Sequence, residues 1–251
     1  MQAEKILNEV VYLHREILGE NLIGIYIHGS LAFGCYNPKQ SDIDFLTVTE
    51  RSPSLTEKRT ILERLVRLEA DAPRKGFEMS VVLAEYCRRF VYPTPYELHY
   101  SKTHKKAFLA APDEYCKAMR GTDPDLAAHF TVVRKTGVTL YGEEARSLFA
   151  PVPRADYLDS IRRDAADAEK EIESDPVYFV LNLCRVLAYL QAGLVLSKAD
   201  GGHWAIKELP EPFHPVIREA LRCYARGGDF PRDRKKAREF ARYMLPKIFA
   251  E

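Results

Sequence analysis

The sequence predicts an α/β domain built around a sheet, followed by an all-helical domain. Two patterns and a punctuation mark carry that expectation. Short apolar runs of strand length fall at 22–28, 43–49 and 76–83, all early in the chain. From Pro124 onward the apolar residues instead recur at helical spacing, over 124–136, 155–173, 176–196, 212–226 and 233–248. Pro151 and Pro153 punctuate the change, so the expected domains are 1–150 and 151–251.

In chain order, Ile6, Leu7, Val10, Val11, Leu13 and Leu18 form an apolar stripe that predicts a helix over 4–18. The strand at 22–28 ends on the Gly29-Ser30 turn, and a polar loop with Gly34, Asn37 and Pro38 leads to the strand at 43–49. Ser-Pro-Ser at 52–54 is a helix entry, and Ile61, Leu62, Leu65 and Leu68 give the following helix, Ser54 to Ala70, its apolar face. The run GFEMSVVL, 76–83, reads as a third strand. Residues 86–115, rich in Tyr, Pro and His, show no clear period.

The most informative run is GIYIHGSLAFGCYNPKQSDIDFLTVT, residues 24–49. Side chains two apart in a strand share a face, so Asp42 and Asp44 point one way and Ile43 and Phe45 the other. Two carboxylates held side by side repel each other unless a cation sits between them. Hard oxygen ligands suit Mg²⁺, which takes one or two carboxylates plus substrate phosphates. A glycine lets a phosphate approach the backbone, and the Ser30 hydroxyl can donate to it. Gly29, Ser30 and Ser41, which immediately precedes the acidic pair, are the candidate nucleotide contacts from this segment, with Asp42 and Asp44 as metal ligands. Each half alone is common in turns and strand ends; their conjunction in order, between two strands, points to a metal-nucleotide site.

Composition narrows the partners. With 46% hydrophobic and 29% charged residues the 251-residue chain has material for a substantial core. Its 37 basic and 36 acidic residues leave a net charge of +1, which argues against nucleic-acid binding through a basic excess. The run Arg232-Asp233-Arg234-Lys235-Lys236 reads as a solvated helix start. No apolar stretch approaches the ~20 residues of a membrane span, and MQAEKILNEVV is too acidic and too periodic for a signal peptide. Five cysteines (Cys35, Cys87, Cys116, Cys184, Cys223) form no Cys-x-x-Cys pair, so neither a disulfide framework nor a zinc site is expected, and the cytoplasm is the expected compartment.

Gly-Ser, a spacer and Asp-x-Asp between apolar strands resemble the nucleotidyltransferases of the DNA polymerase β superfamily. From about residue 20 to about residue 245 the chain is similar to the aminoglycoside adenylyltransferases that modify streptomycin and spectinomycin. The resemblance implies a polymerase β-like domain with a mixed sheet and a C-terminal helical bundle. It also implies ATP as co-substrate, Mg²⁺, and a small-molecule, aminoglycoside-like acceptor. Phe77-Glu78-Met79-Ser80-Val81-Val82 is similar to the family's Glu-x-Thr/Ser-Val-Val strand, which implies Glu78 as the general base; read alone, Glu78 also fits an exposed strand end. In the helical part Asn182, Arg185 and Tyr189 form a polar stripe that must face water, a cleft or a partner. By resemblance Arg185, Lys198 and Tyr224 contact the ATP; read alone, Lys198 fits a helix-end lysine and Tyr224 a core residue.

The family's Glu-Leu-x-Phe-Gly-Glu element is followed by tryptophan, whereas Glu97-Leu98-His99-Tyr100-Ser101-Lys102-Thr103 is not. Aminoglycosides are polycations, so carboxylates should meet them, and Asp175 and Glu171 are the candidates. Asp175 is also an adequate N-cap before Pro176. Two other readings of the same residues are adenylylation of a protein, as in toxin–antitoxin nucleotidyltransferases, and a nucleotide-binding module without catalysis.

Overall fold

The computed structural model describes residues 2–231 and 234–250, and the chain forms two compact units, Met1–Tyr157 and Leu158–Glu251. Among the described residues the first contains seven strands: β1 Leu22–Ile27, β2 Ile43–Thr49, β3 Phe77–Leu83, β4 Thr94–Tyr96, β5 Leu98–Ser101, β6 Gly121–Asp123 and β7 Val138–Gly142. Five make one mixed sheet in the order β5-β3-β2-β1-β7, while β4 and β6 pair separately. Only β2 and β3 run parallel; the other pairs are antiparallel. A parallel pair needs a crossover, and the Leu55–Leu68 helix supplies it. Its start is fixed by a capping box: Ser54 Oγ accepts from Glu57 N at 3.2 Å, and Ser54 N donates to Glu57 Oε2 at 2.6 Å.

The period-2 alternation of the strands gives the sheet two faces. On one, Ile25, Ile27, Ile43, Phe45, Phe77, Met79, Val81, Leu98 and Tyr100 pack with Ile6, Val10 and Leu13 of the Gln2–Leu18 helix and with Ile61, Leu62 and Leu65. On the other, Tyr26, Leu46, Val48 and Val82 pack with Leu126, Phe130 and Val133 of the Leu126–Thr136 helix and with Leu148 and Phe149. Asp44 and Glu78 alternate with the first set and so belong to the second face.

The early helices and strands lie where the apolar patterns put them. The strands after β3 do not announce themselves in the sequence. β5 is four residues long: Leu98 and Tyr100 are buried while His99 and Ser101 are half-buried, a correct alternation too short to stand out. β7 is an edge strand paired only with β1, and its residues are no more than half-buried, so it carries little apolar signal. It follows a helix in what the periodicity alone marks as helical sequence.

The second unit is helical, and its central element is Pro176–Ala192, with Val180, Leu181, Leu183, Val186 and Leu187 buried. Two corrections to the sequence expectation arise here. The helix expected over 155–173 is two pieces, Arg154–Ala166 and Ala168–Glu171, broken at Asp167, a residue type that favours caps over helix interiors. The helix expected over 176–196 stops at Ala192, because Gly193 takes the left-handed conformation (φ +65°) and caps it. A separate helix, Lys198–Glu208, then begins with Ser197 accepting from Asp200 N at 3.0 Å. This helix approaches the central one closely: a Cβ on Gly201 would stand 2.8 Å from Arg185 Cβ. His214–Arg226 and Lys235–Phe249 complete the unit. Arg232 and Asp233 of the basic run lie outside the described residues; Lys235 and Lys236 are exposed at the start of the last helix. Among the described residues no helix is long and apolar enough to cross a membrane.

Candidate active site

The parallel register of β2 and β3 sets Asp44 directly opposite Glu78. Asp42, just before β2, completes a triad of half-buried carboxylates, each with an oxygen within 4.8 Å of the others. Three like charges so close repel, and a divalent cation relieves that repulsion. The donors are all oxygens, which fits Mg²⁺ rather than a softer metal.

The turn after β1 is built against this triad. Gly29 has φ +59°, and a Cβ there would fall 1.8 Å from Asp44 Oδ2, so only glycine fits. His28 N donates to Asp44 O at 3.0 Å and ties the turn to β2. Ser30 Oγ is buried with no hydrogen-bond partner among the described residues. Such a hydroxyl costs about 1–3 kcal/mol if left unmet, and a phosphate oxygen would satisfy it. Ser41 is buried and closes the loop before β2: its Oγ accepts from Asn37 N at 3.2 Å, and its N donates to Asn37 O at 2.7 Å. The Ser41 hydroxyl proton is still available as a donor. Burial and the nearby Asp42 carboxylate push the Tyr36 phenol up.

Histidines, which the sequence reading leaves without a role, border the triad. His28 is buried and its ring lies 4.4 Å from that of His129 at a 30° tilt. Burial, reinforced by His129, holds His28 well below its ordinary pKa. On the β5 side Ser80 Oγ and His99 Nδ1 share a 2.9 Å hydrogen bond. Burial lowers the His99 pKa against the opposing pull of the Glu78 charge. Only the adjacency of His28 to Gly29 could have flagged any of them.

In the helical unit the polar stripe expected to face water, a cleft or a partner has Asn182 buried and Arg185 and Tyr189 half-buried. Asn182 is fully buried; its Nδ2 donates to Asp164 Oδ2 at 2.9 Å and its Oδ1 accepts from Arg185 Nε at 2.6 Å. Arg185 Nη2 lies 3.6 Å from Asp164 Oδ2, and Tyr178 Oη donates to the same carboxylate. Lys198 Nζ stands 4.5 Å from the centre of the Tyr178 ring. Lys198 is the first residue of its helix, not the last, so the favourable C-terminal dipole does not explain it. Asp164, the hub of this cluster, has no signature in the sequence. Tyr224 is half-buried on the His214–Arg226 helix. Asp175 is exposed and acts as N-cap, Oδ1 accepting from Tyr178 N at 3.0 Å; Glu171, also exposed, accepts from Ser174 Oγ at 3.2 Å.

A Gly-Ser turn pressed against an acidic strand, with a third carboxylate on the parallel neighbour, defines the class: residues 11–99 match the nucleotidyltransferase domain family. Residues 147–247 match the family described as the aminoglycoside adenylyltransferase C-terminal domain. The chain belongs to the aminoglycoside adenylyltransferase-like nucleotidyltransferases, and it is an enzyme of the adenylyltransferase kind. It is 28% identical over 250 residues to an aminoglycoside (3'') (9) adenylyltransferase of Klebsiella pneumoniae, covering 96% of this chain and 93% of that one. It is 24% identical over 247 residues to a spectinomycin 9-adenylyltransferase of Campylobacter jejuni, covering 96% and 94%. In fold it matches a spectinomycin adenyltransferase from Enterococcus faecialis solved with ATP and spectinomycin (TM-score 0.84, 19% identity, 98% of each chain).

Proposed function

We propose that this enzyme transfers AMP from Mg²⁺-ATP to a hydroxyl of an aminoglycoside antibiotic, in the cytoplasm where ATP is supplied. The observation that carries the reading is the carboxylate triad on adjacent strands above Gly29. The names of the relatives support both the adenylyl group and the acceptor class. Asp42 and Asp44 would hold the metal, which when bound neutralises the charge that develops on the triphosphate as pyrophosphate leaves. Gly29, Ser30 and Ser41 seat the phosphates through backbone approach and hydroxyl donors. Glu78 takes the proton from the acceptor hydroxyl, whose oxygen forms the new bond to the α-phosphorus as the bond to pyrophosphate breaks. Arg185, Lys198 and Tyr224 are the helical unit's contacts to the nucleotide, and Asp175 and Glu171 its contacts to the cationic acceptor. Most of the rate gain then comes from positioning and fixed electrostatics.

The test follows label from α-labelled ATP into spectinomycin, streptomycin and other aminoglycosides, with lysate protein as a parallel acceptor. Mg²⁺-dependent label on an aminoglycoside is the expected result. Label on protein alone would move the acceptor to a macromolecule, and label on neither would remove the catalytic reading.

A further inference from the structure

The sheet order places the components of the site in a row. The nucleotide-seating turn follows β1, Asp42 and Asp44 stand just before and on β2, Glu78 stands on β3, and β5 is next. If the triphosphate and its metal take the β1–β2 side, as the proposed reaction requires, an acceptor hydroxyl reaching Glu78 lies over β5. In the antiparallel β3–β5 pair Glu78 is opposite Ser101, and Ser80 is opposite His99. Directly opposed residues share a face, so His99 and Ser101 are what β5 presents beside the base.

His99 is prepared for a contact. Ser80 Oγ holds its Nδ1 at 2.9 Å, and the rings of Tyr96 and His104, at 6.2 and 5.3 Å between centroids, fix the plane of the imidazole. The second nitrogen, Nε2, has no hydrogen-bond partner among the described residues. Burial favours the neutral ring, which has one donor and one acceptor nitrogen. Whichever role Nδ1 takes with Ser80, Nε2 has the other, and a hydroxyl, able both to donate and to accept, matches it in either tautomer. An ammonium, which only donates, would match just one.

We propose that His99 is an acceptor-binding residue, its Nε2 hydrogen-bonded to a hydroxyl of the antibiotic next to the one that reacts, with Ser80 as the positioning residue that fixes the ring. This rests on the adenylyltransferase reading above and adds a subsite for neutral, hydroxyl-bearing parts of the acceptor.

The test is steady-state kinetics of the full chain with Mg²⁺-ATP and with spectinomycin and streptomycin as acceptors. His99→Ala should raise the acceptor KM about tenfold, the size of one lost hydrogen bond, with kcat and the KM for ATP changed by less than about threefold. His99→Gln, which returns a polar amide near the same place, should recover most of that loss, and Ser80→Ala should raise the acceptor KM by a smaller factor. An unchanged acceptor KM in His99→Ala, with wild type active, would overturn the assignment and leave the transferase reading intact. So would a loss in His99→Ala shared by the KM for ATP and the melting temperature and not rescued by His99→Gln, which is the signature of a structural role. If wild type adenylylates neither antibiotic, the acceptor reading fails and the His99 assignment falls with it.

Discussion

The two units gather polar groups in opposite ways. The sheet brings together three carboxylates of one sign, Asp42, Asp44 and Glu78. The helical unit joins opposite charges and neutral dipoles around Asp164: Asn182, Arg185 and Tyr178, with Lys198 against the Tyr178 ring. Like charges repel, and on the proposed reading a cation from outside relieves that repulsion in the sheet site. The helical cluster pairs Arg185 with Asp164 and Asn182 and so holds the arginine in a defined pose. On the proposed reading, chemistry belongs to the first arrangement and orientation to the second. The contrast can be tested one residue at a time.

The sharpest break comes from the acidic pair. Asp42→Asn or Asp44→Asn removes a proposed metal ligand while relieving repulsion, so folding should survive and transfer should not. A lost contact worth several kcal/mol at the metal corresponds to a fall of about 10³-fold or more in rate. Mg²⁺ should also raise the melting temperature of the ATP-bound wild type more than that of either variant. Normal turnover in either variant would dissolve the distinction between the units.

Acid should separate the units next. His14, fully buried in the sheet unit, is held down to about 4 by burial, partly offset by the hydrogen bond it shares with Val10 O at 2.7 Å. The unfolded chain therefore binds this proton below the ordinary histidine value of 6.5, while the folded chain refuses it until about pH 4. With more protons on the unfolded state, stability falls as pH falls through that window, by about 3 kcal/mol for the whole shift. His28, lowered in the same direction, adds to it. In the helical unit His203 is exposed and His214 half-buried, and no histidine among its described residues is buried. Hydrogen exchange at pH 7 and pH 5 should thus show peptides from 2–157 losing protection before those from 158–250; the reverse order would count against the buried histidines as the cause.

Glu78→Gln tests the division of labour inside the triad. Loss of a general base typically costs 10²-fold or more, and ATP affinity should stay within a few-fold because Asp42 and Asp44 remain. A joint loss of binding and rate would recast Glu78 as a third metal ligand, which its position opposite Asp44 permits.

How far the sequence foretold this contrast follows from the range of the interactions. Asp42, Asp44 and Gly29 were legible because period 2 and a special backbone conformation act over a few residues. The pairing of Asp44 with Glu78 needed a register across 34 positions, and only resemblance suggested Glu78's role. His99 went unread because a four-residue strand has too little pattern to show. The stripe of Asn182, Arg185 and Tyr189 leaves water, a cleft and a partner open because nothing in its own helix signals Asp164, 18 residues from Asn182. The helical boundaries failed at Gly193, where a left-handed cap ends a helix expected to run to 196, and at Ser197, the N-cap of a helix the periodicity did not show.

The smallest and most discriminating effect concerns Asp175, which has two candidate roles that one substitution can separate. As a cap it accepts from Tyr178 N at 3.0 Å, and asparagine caps almost as well as aspartate. Asp175→Asn should therefore leave the melting temperature nearly unchanged. As a charge it would meet an ammonium of the acceptor, and removing it should cost about 2 kcal/mol in acceptor binding, seen as a higher KM for a cationic aminoglycoside with ATP affinity preserved. Exposure argues for the lower end of that figure, because solvent screens an open ion pair. If the variant matches wild type in acceptor KM, Asp175 is a cap alone, and the helical unit serves orientation without contributing charge to substrate recognition. If KM rises while Tm holds, one residue of the helical unit carries an unbalanced charge after all, and the contrast with the sheet site narrows at that position.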